Sequence, residues 1–112
     1  MEHSMREDSG VTVIRPEGPI DVSKSLDLRA LLGEQVASSG GKVLVDMGGV
    51  PLIDSSGIGV MVAAHRRAEE AGAGFALAEP SDAVAKVFNL TRTDRLLSIY
   101  PSVAEGVAAL AG

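Results

Sequence analysis

Apolar positions alternate along this chain between short continuous runs and one-face helical spacing. Val11-Thr12-Val13-Ile14, bounded by Gly10 and Pro16-Glu17-Gly18, reads as a strand. Gly18-Pro19-Ile20 reads as a second extended piece, at an edge or strand start because Pro19 cannot donate to a ladder. Leu28, Leu31, Leu32 and Val36 recur on one helical face behind three candidate N-caps, Asp21, Ser23 and Ser25, and Ser38-Ser39-Gly40-Gly41 ends that helix. Lys42 to Met47 is a compact apolar run of the kind buried on both faces of a sheet. Gly48 to Ile53 leads to Asp54-Ser55-Ser56-Gly57, and a helix runs on to Ala71, where Gly72-Ala73-Gly74 breaks it. Phe75 to Ala78 is a strand stopped by Pro80, and Ser81 caps a short helix carrying Val84, Val87 and Phe88. After the polar loop Thr91 to Arg95 comes a strand at Leu97 to Tyr100. Ser102 and Glu105 then make a capping box for a last helix with Val103, Val107 and Leu110 inward.

The predicted order is β-β-α-β-α-β-α-β-α. It implies a small α/β domain with a mixed, mostly parallel sheet of about four or five strands and about four helices, joined by right-handed crossovers. The domain is expected over residues 11–112. Residues 1–10, MEHSMREDSG, read as a flexible polar tail with Met5 as an alternative start and with no apolar run that could serve as a secretory signal. A chain of 112 residues, 46% hydrophobic and 22% charged, is enough for one core and too apolar for wholesale disorder. Cysteine is absent, which excludes disulfides, thiolate metal sites and cysteine nucleophiles. Lys and Arg number 10 against 15 Asp and Glu, a net charge of −5, and a single Tyr and two Phe offer no base-stacking platform. Neither direct nucleic-acid binding nor an anionic membrane surface suits that balance. The longest apolar stretch, Gly57 to Ala64, is far short of a membrane span, so a cytoplasmic location is expected.

The chemistry is concentrated in Asp54-Ser55-Ser56-Gly57-Ile58-Gly59 at a strand-to-helix junction. A helix start exposes unpaired N–H groups and the positive end of the dipole, which favours an anion such as phosphate. Gly57 and Gly59 each cost a helix interior about 1 kcal/mol against Ala, so two within three residues suggest that space is needed. Asp and Ser are also the commonest N-caps. Capping alone accounts for one of Asp54, Ser55 and Ser56 and leaves two polar groups over. Catalysis fits poorly. Neither serine sits in Gly-x-Ser-x-Gly, His65 is ~15 Å along the same helix from Ser55, and His3 lies in the tail. There is no phosphate-binding glycine loop, and scattered carboxylates give no metal signal. No enzyme, cofactor or metal is expected, and a nucleotide-binding reading rests on the helix start alone.

On the following helix Val60, Met61, Ala64, Ala68 and Ala71 form one apolar stripe, and Ile58 and Val62 fall off it. They are either part of a wide buried face or an exposed patch beside the serines that docks a partner. His65, Arg66 and Arg67 suit a solvated face better than a phosphate site.

With these elements in this order, the chain resembles the STAS family, specifically the single-domain bacterial anti-sigma factor antagonists, over residues 11–110. The resemblance is carried by Gly18-Pro19-Ile20-Asp21, Val43-Leu44-Val45-Asp46, the hexapeptide, and Val87-Phe88-Asn89-Leu90 through Ile99-Tyr100. It implies phosphorylation at Ser55. Asp21, Asp54, Ser56, Gly57 and Gly59 are the residues expected to support that site, and Ile58 and Val62, read as the exposed patch, are the candidate partner contacts. The implied partner is an anti-sigma factor that is also a serine kinase of the GHKL ATPase type. Binding of the unphosphorylated protein frees the sigma factor, and a PP2C-type phosphatase resets the phosphorylated form. A monomer or weak dimer is expected. The family's usual glutamate in its Gly-Glu-Leu-Asp-like stretch is replaced here by Pro19. Other members are stressosome scaffolds or lipid-transport subunits, the competing expectation for this chain.

Overall fold

Ser9 and Gly10 hold φ angles of 55° and 80°, the left-handed pair of a two-residue type I′ turn. The turn folds β1 (His3–Asp8) back on β2 (Val11–Pro16), antiparallel from Asp8↔Val11 to His3↔Pro16. The expectation of a loose tail over residues 1–10, with the domain beginning at 11, is corrected here. All six β1 side chains are exposed, so no apolar alternation marks the strand, and backbone pairing holds it. Gly18-Pro19-Ile20 forms no strand of its own. Ile20 instead makes one parallel bridge, to Ile53.

The computed structural model describes residues 1–38 and 41–112. Beyond the hairpin the order is α1 (Val22–Ser38), β3 (Lys42–Asp46), α2 (Ser55–Glu70), β4 (Gly74–Ala78), α3 (Asp82–Leu90), β5 (Ile99–Tyr100) and α4 (Val103–Ala111). The expected stop at Ser38-Ser39-Gly40-Gly41 falls partly on residues 39 and 40, outside the described residues. The fifth strand is shorter than expected. Ile99 and Tyr100 pair with β4, while Leu97 reaches the core from the preceding loop.

The sheet runs β1-β2-β3-β4-β5, with β1 antiparallel and the others parallel. When parallel strands follow chain order, right-handed crossovers put every connecting helix on one face. Accordingly Val43 and Val45 of β3 pack with Leu28, Leu32 and Val36 of α1, Met61 and Ala64 of α2, and Val84 and Phe88 of α3. The opposite face, with Val11, Val13, Leu44 and Ala76, is covered by Val107 of the terminal helix α4. A Cβ at position 106 would lie 2.8 Å from Leu44 Cδ1, so a side chain there would require Leu44 to shift, and Gly106 lets α4 seat on the sheet without that. At the end of β3, buried Asp46 accepts hydrogen bonds from Gly48 N at 2.9 Å and Arg15 Nη1 at 3.3 Å.

Candidate functional site

The Ile20–Ile53 bridge builds the site. Ile20 N–H donates to Leu52 O at 2.9 Å, and Asp54 N–H donates to Ile20 O at 3.2 Å. These two bonds sew the segment before α1 to the segment before α2 and set two helix N-termini side by side. Gly57 permits the fit, because a Cβ there would come within 2.6 Å of Ile53 and 2.8 Å of Ile20. At Gly59 a Cβ would meet nothing within 4 Å. Of the two glycines expected to make space, only Gly57 makes it for the fold.

Each helix start repeats one Asp-x-Ser arrangement. Asp54 Oδ1 accepts from Ser56 N at 2.9 Å, Gly57 N at 3.1 Å and the Ser56 hydroxyl. Asp21 Oδ1 accepts from Ser23 N at 3.0 Å and the Ser23 hydroxyl. Both carboxyls are held below the ordinary aspartate value. For Asp54 the Ser56 hydroxyl is the main cause and the Gly57 N–H the next; for Asp21 the Ser23 hydroxyl leads. The Val22 N–H also favours ionised Asp54, and Asp54 in turn works against ionisation of Asp21, so the two helix starts share one electrostatic environment.

A folded-state pKa below the unfolded value contributes stability above the unfolded pKa that is lost as pH falls through the folded one. Asp21 and Asp54 therefore stabilise the fold above about pH 4 and lose that contribution under stronger acid. Urea midpoints measured at neutral pH and at about pH 3 should fall more for the wild type than for the Asp21→Asn, Asp54→Asn double variant. Equal falls would show that these carboxylates carry no such linkage.

The two serines of the hexapeptide differ. Ser56 is half-buried and its hydroxyl is committed to Asp54. Ser55, the first residue of α2, is exposed, and its hydroxyl makes no hydrogen bond among the described residues. The helix N-terminus presents a free hydroxyl that a second protein can reach.

Of the two alternatives for Ile58 and Val62, the structure shows the wide buried face and not the exposed patch. Ile58 is 6% exposed and belongs to the main core cluster, against which half-buried Val62 packs. The bridge draws the start of α2 down onto Ile20 and Ile53, so the helix buries a wider face than its stripe implied. The exposed apolar residues here are Val22 and Leu26, one turn apart on α1, and Leu52 in the loop carrying Asp54. Sequence reasoning missed these three. The signal available to it was the repeat Asp21-Val22-Ser23 and Asp54-Ser55-Ser56, which marks two equivalent helix starts. His65 pairs with Glu69 at 3.3 Å on its own helix, and Arg66 and Arg67 are exposed; none of the three is brought to Ser55. Among the described residues no group of three or more His, Asp or Glu could hold a metal ion, and no helix is long and apolar enough to cross a membrane.

The STAS domain family model matches residues 2–106, from the start of the hairpin into the last helix. The chain belongs to the STAS domain family. A Thermotoga neapolitana protein named as an anti-sigma factor antagonist is 25% identical to this STAS domain over 103 residues, 91% of each chain. The crystal structure of an anti-sigma factor antagonist from Mycobacterium paratuberculosis superposes with a TM-score of 0.90 at 22% identity, covering 99% of this chain and 94% of that one. The Bacillus cell fate determinant SpoIIAA, solved in its phosphorylated form, superposes with a TM-score of 0.72 at 19% identity, covering 96% and 98%. These structural likenesses establish the shared α/β fold, and the family match includes the β1 strand that the chain's polarity had concealed.

Proposed function

We propose that this STAS domain is an anti-sigma factor antagonist switched by phosphorylation of Ser55. Unphosphorylated, it binds an anti-sigma factor that is also a serine kinase of the GHKL ATPase type and so releases the sigma factor. Phosphorylated, it lets go, and a PP2C-type phosphatase restores it. The observation that carries this reading is the contrast between the two serines: Ser55 is exposed and its hydroxyl is unbonded among the described residues, whereas the Ser56 hydroxyl is tied to Asp54. Relatives named as anti-sigma factor antagonists, and a phosphorylated protein of the same fold, support it.

The partner surface in this proposal is the exposed trio Val22, Leu26 and Leu52 around the two helix starts, while Ile58 and half-buried Val62 pack on the core. A hydroxyl at this position needs no catalytic group of its own, because the kinase supplies the chemistry. Added phosphate carries about −1.5 to −2 charges one residue from Asp54 and beside the Asp21 helix start. The Ser56 and Gly57 N–H groups already donate to Asp54, and an interface built around a neutral hydroxyl offers the added charge no partner.

Intact mass after incubation with ATP and the candidate kinase, followed by peptide mapping, tests the assignment. The expected result is one added phosphate on the peptide containing Ser55 and none on a Ser55→Ala variant. Phosphate on Ser56, or no modification by any such kinase of the source organism, overturns it.

A further inference from the structure

The two edges of the sheet are built differently. β5 is two residues long and is followed at once by Pro101, a short and proline-marked edge of the kind that resists pairing. β1 is six residues long without proline, and nothing lies beyond it among the described residues.

The register shows which of its backbone groups are open. Glu17 N–H donates to Glu2 O at 2.9 Å, one step past the His3↔Pro16 pair, and the turn closes on Asp8↔Val11. Hydrogen-bonded and non-bonded pairs alternate along an antiparallel ladder. Glu2, Ser4, Arg6 and Asp8 therefore direct their backbone groups at β2, while His3, Met5 and Glu7 direct theirs outward. Pro16, which has no N–H, stands opposite His3 as this parity requires.

We infer that the open edge of β1 is a self-association surface, on which a second copy of this chain pairs antiparallel, β1 to β1, about a two-fold axis at Met5. Two-fold registers that join open residues to open residues centre on Ser4, Met5 or Arg6. Centring on Arg6 opposes two guanidinium groups, which is unfavourable. Centring on Ser4 carries Glu7 past the strand to Met1, which packs against the core. Centring on Met5 pairs the whole run from His3 to Glu7. Met5, the exposed large apolar residue of β1 at 47%, then meets the partner's Met5. His3 faces the partner's Glu7, and Ser4 faces the partner's Arg6. The one like-charge pair, Glu2 across from the partner's Asp8, falls at the fringe in water. Met5 lies opposite Ile14, a residue of the main core cluster, so the methionine pair extends that apolar layer across the joint. The contact is small beside the ~1,200 Å² of a standard interface, which makes the dimer concentration-dependent. No β1 residue belongs to the Ser55 site, and the inference stands apart from the phosphorylation switch.

Sedimentation equilibrium of the full chain, from low micromolar to millimolar, should show the average mass rising from monomer toward dimer. Over the same range the amides of His3, Met5 and Glu7 should gain protection from hydrogen exchange. Met5→Lys, which sets two ammonium groups at the axis, should weaken association at least about tenfold, or roughly 1.4 kcal/mol. Protected Ser4, Arg6 and Asp8 amides in that variant would show its hairpin intact. A monomer at every concentration, association that leaves the His3, Met5 and Glu7 amides unprotected, or a dimer indifferent to Met5→Lys in an intact hairpin overturns the inference.

Discussion

Ser55→Ala is expected to bind the anti-sigma kinase as tightly as the unmodified protein, and the Ser55-phosphorylated protein about a thousandfold more weakly. The expectation rests on where the charge lands. Asp54 is kept ionised by the Ser56 hydroxyl and the Gly57 N–H, so a phosphate at position 55 arrives beside a carboxylate already negative. Burying that added charge unpaired in an interface costs several kcal/mol, and about 4 kcal/mol corresponds to a thousandfold in affinity. Ser55→Asp, with less charge, should also bind weakly but less so than the phosphoprotein. Calorimetric titration of the three forms into the kinase measures the effect, and equal affinities for the alanine and phosphorylated forms would sink the charge-switch account. No refolding is invoked, because the site's hydrogen bonds do not involve the Ser55 hydroxyl.

The second large effect separates core from surface on the two helices. Ile58→Ser should lower unfolding stability by about 2–5 kcal/mol, since it removes a buried side chain and buries a hydroxyl in its place. Leu26→Ser, at a position 77% exposed, should stay within about 0.5 kcal/mol of the wild type yet weaken kinase binding. Urea unfolding and affinity measured on both variants give the comparison. If Leu26→Ser binds normally, the partner does not use the exposed trio. If Ile58→Ser is as stable as the wild type, its place in the core is wrong.

The distinction between Ile58 and Leu26 shows what local pattern can and cannot convey. Helical spacing located α2, its Asp54 cap and its apolar stripe, because those depend on residues three or four apart. It set Ile58 off the stripe because it contains nothing about Ile20 and Ile53, which come from other segments and widen the buried face. Leu26 has the converse history: a leucine inside a helical pattern is ordinarily counted inward, and only the packing of α1 on its neighbours leaves it outside. β1 was illegible for a different reason. A strand with both faces in water needs no apolar residues, and its one local mark was the turn-forming pair Ser9-Gly10.

The sequence by itself determined the α/β class, the alternation of helices and strands after residue 11, and the Asp-Ser-Ser-Gly helix start on which the functional reading depends. These follow from periodicity, caps and breakers, which act over a few residues. Tertiary structure decided the rest. The parallel bridge between Ile20 and Ile53 brings Asp21 beside Asp54 and sinks Ile58, and the packing of the helices leaves Val22, Leu26 and Leu52 in water. Those outcomes depend on contacts between segments some thirty residues apart, and no local spacing rule carries that information.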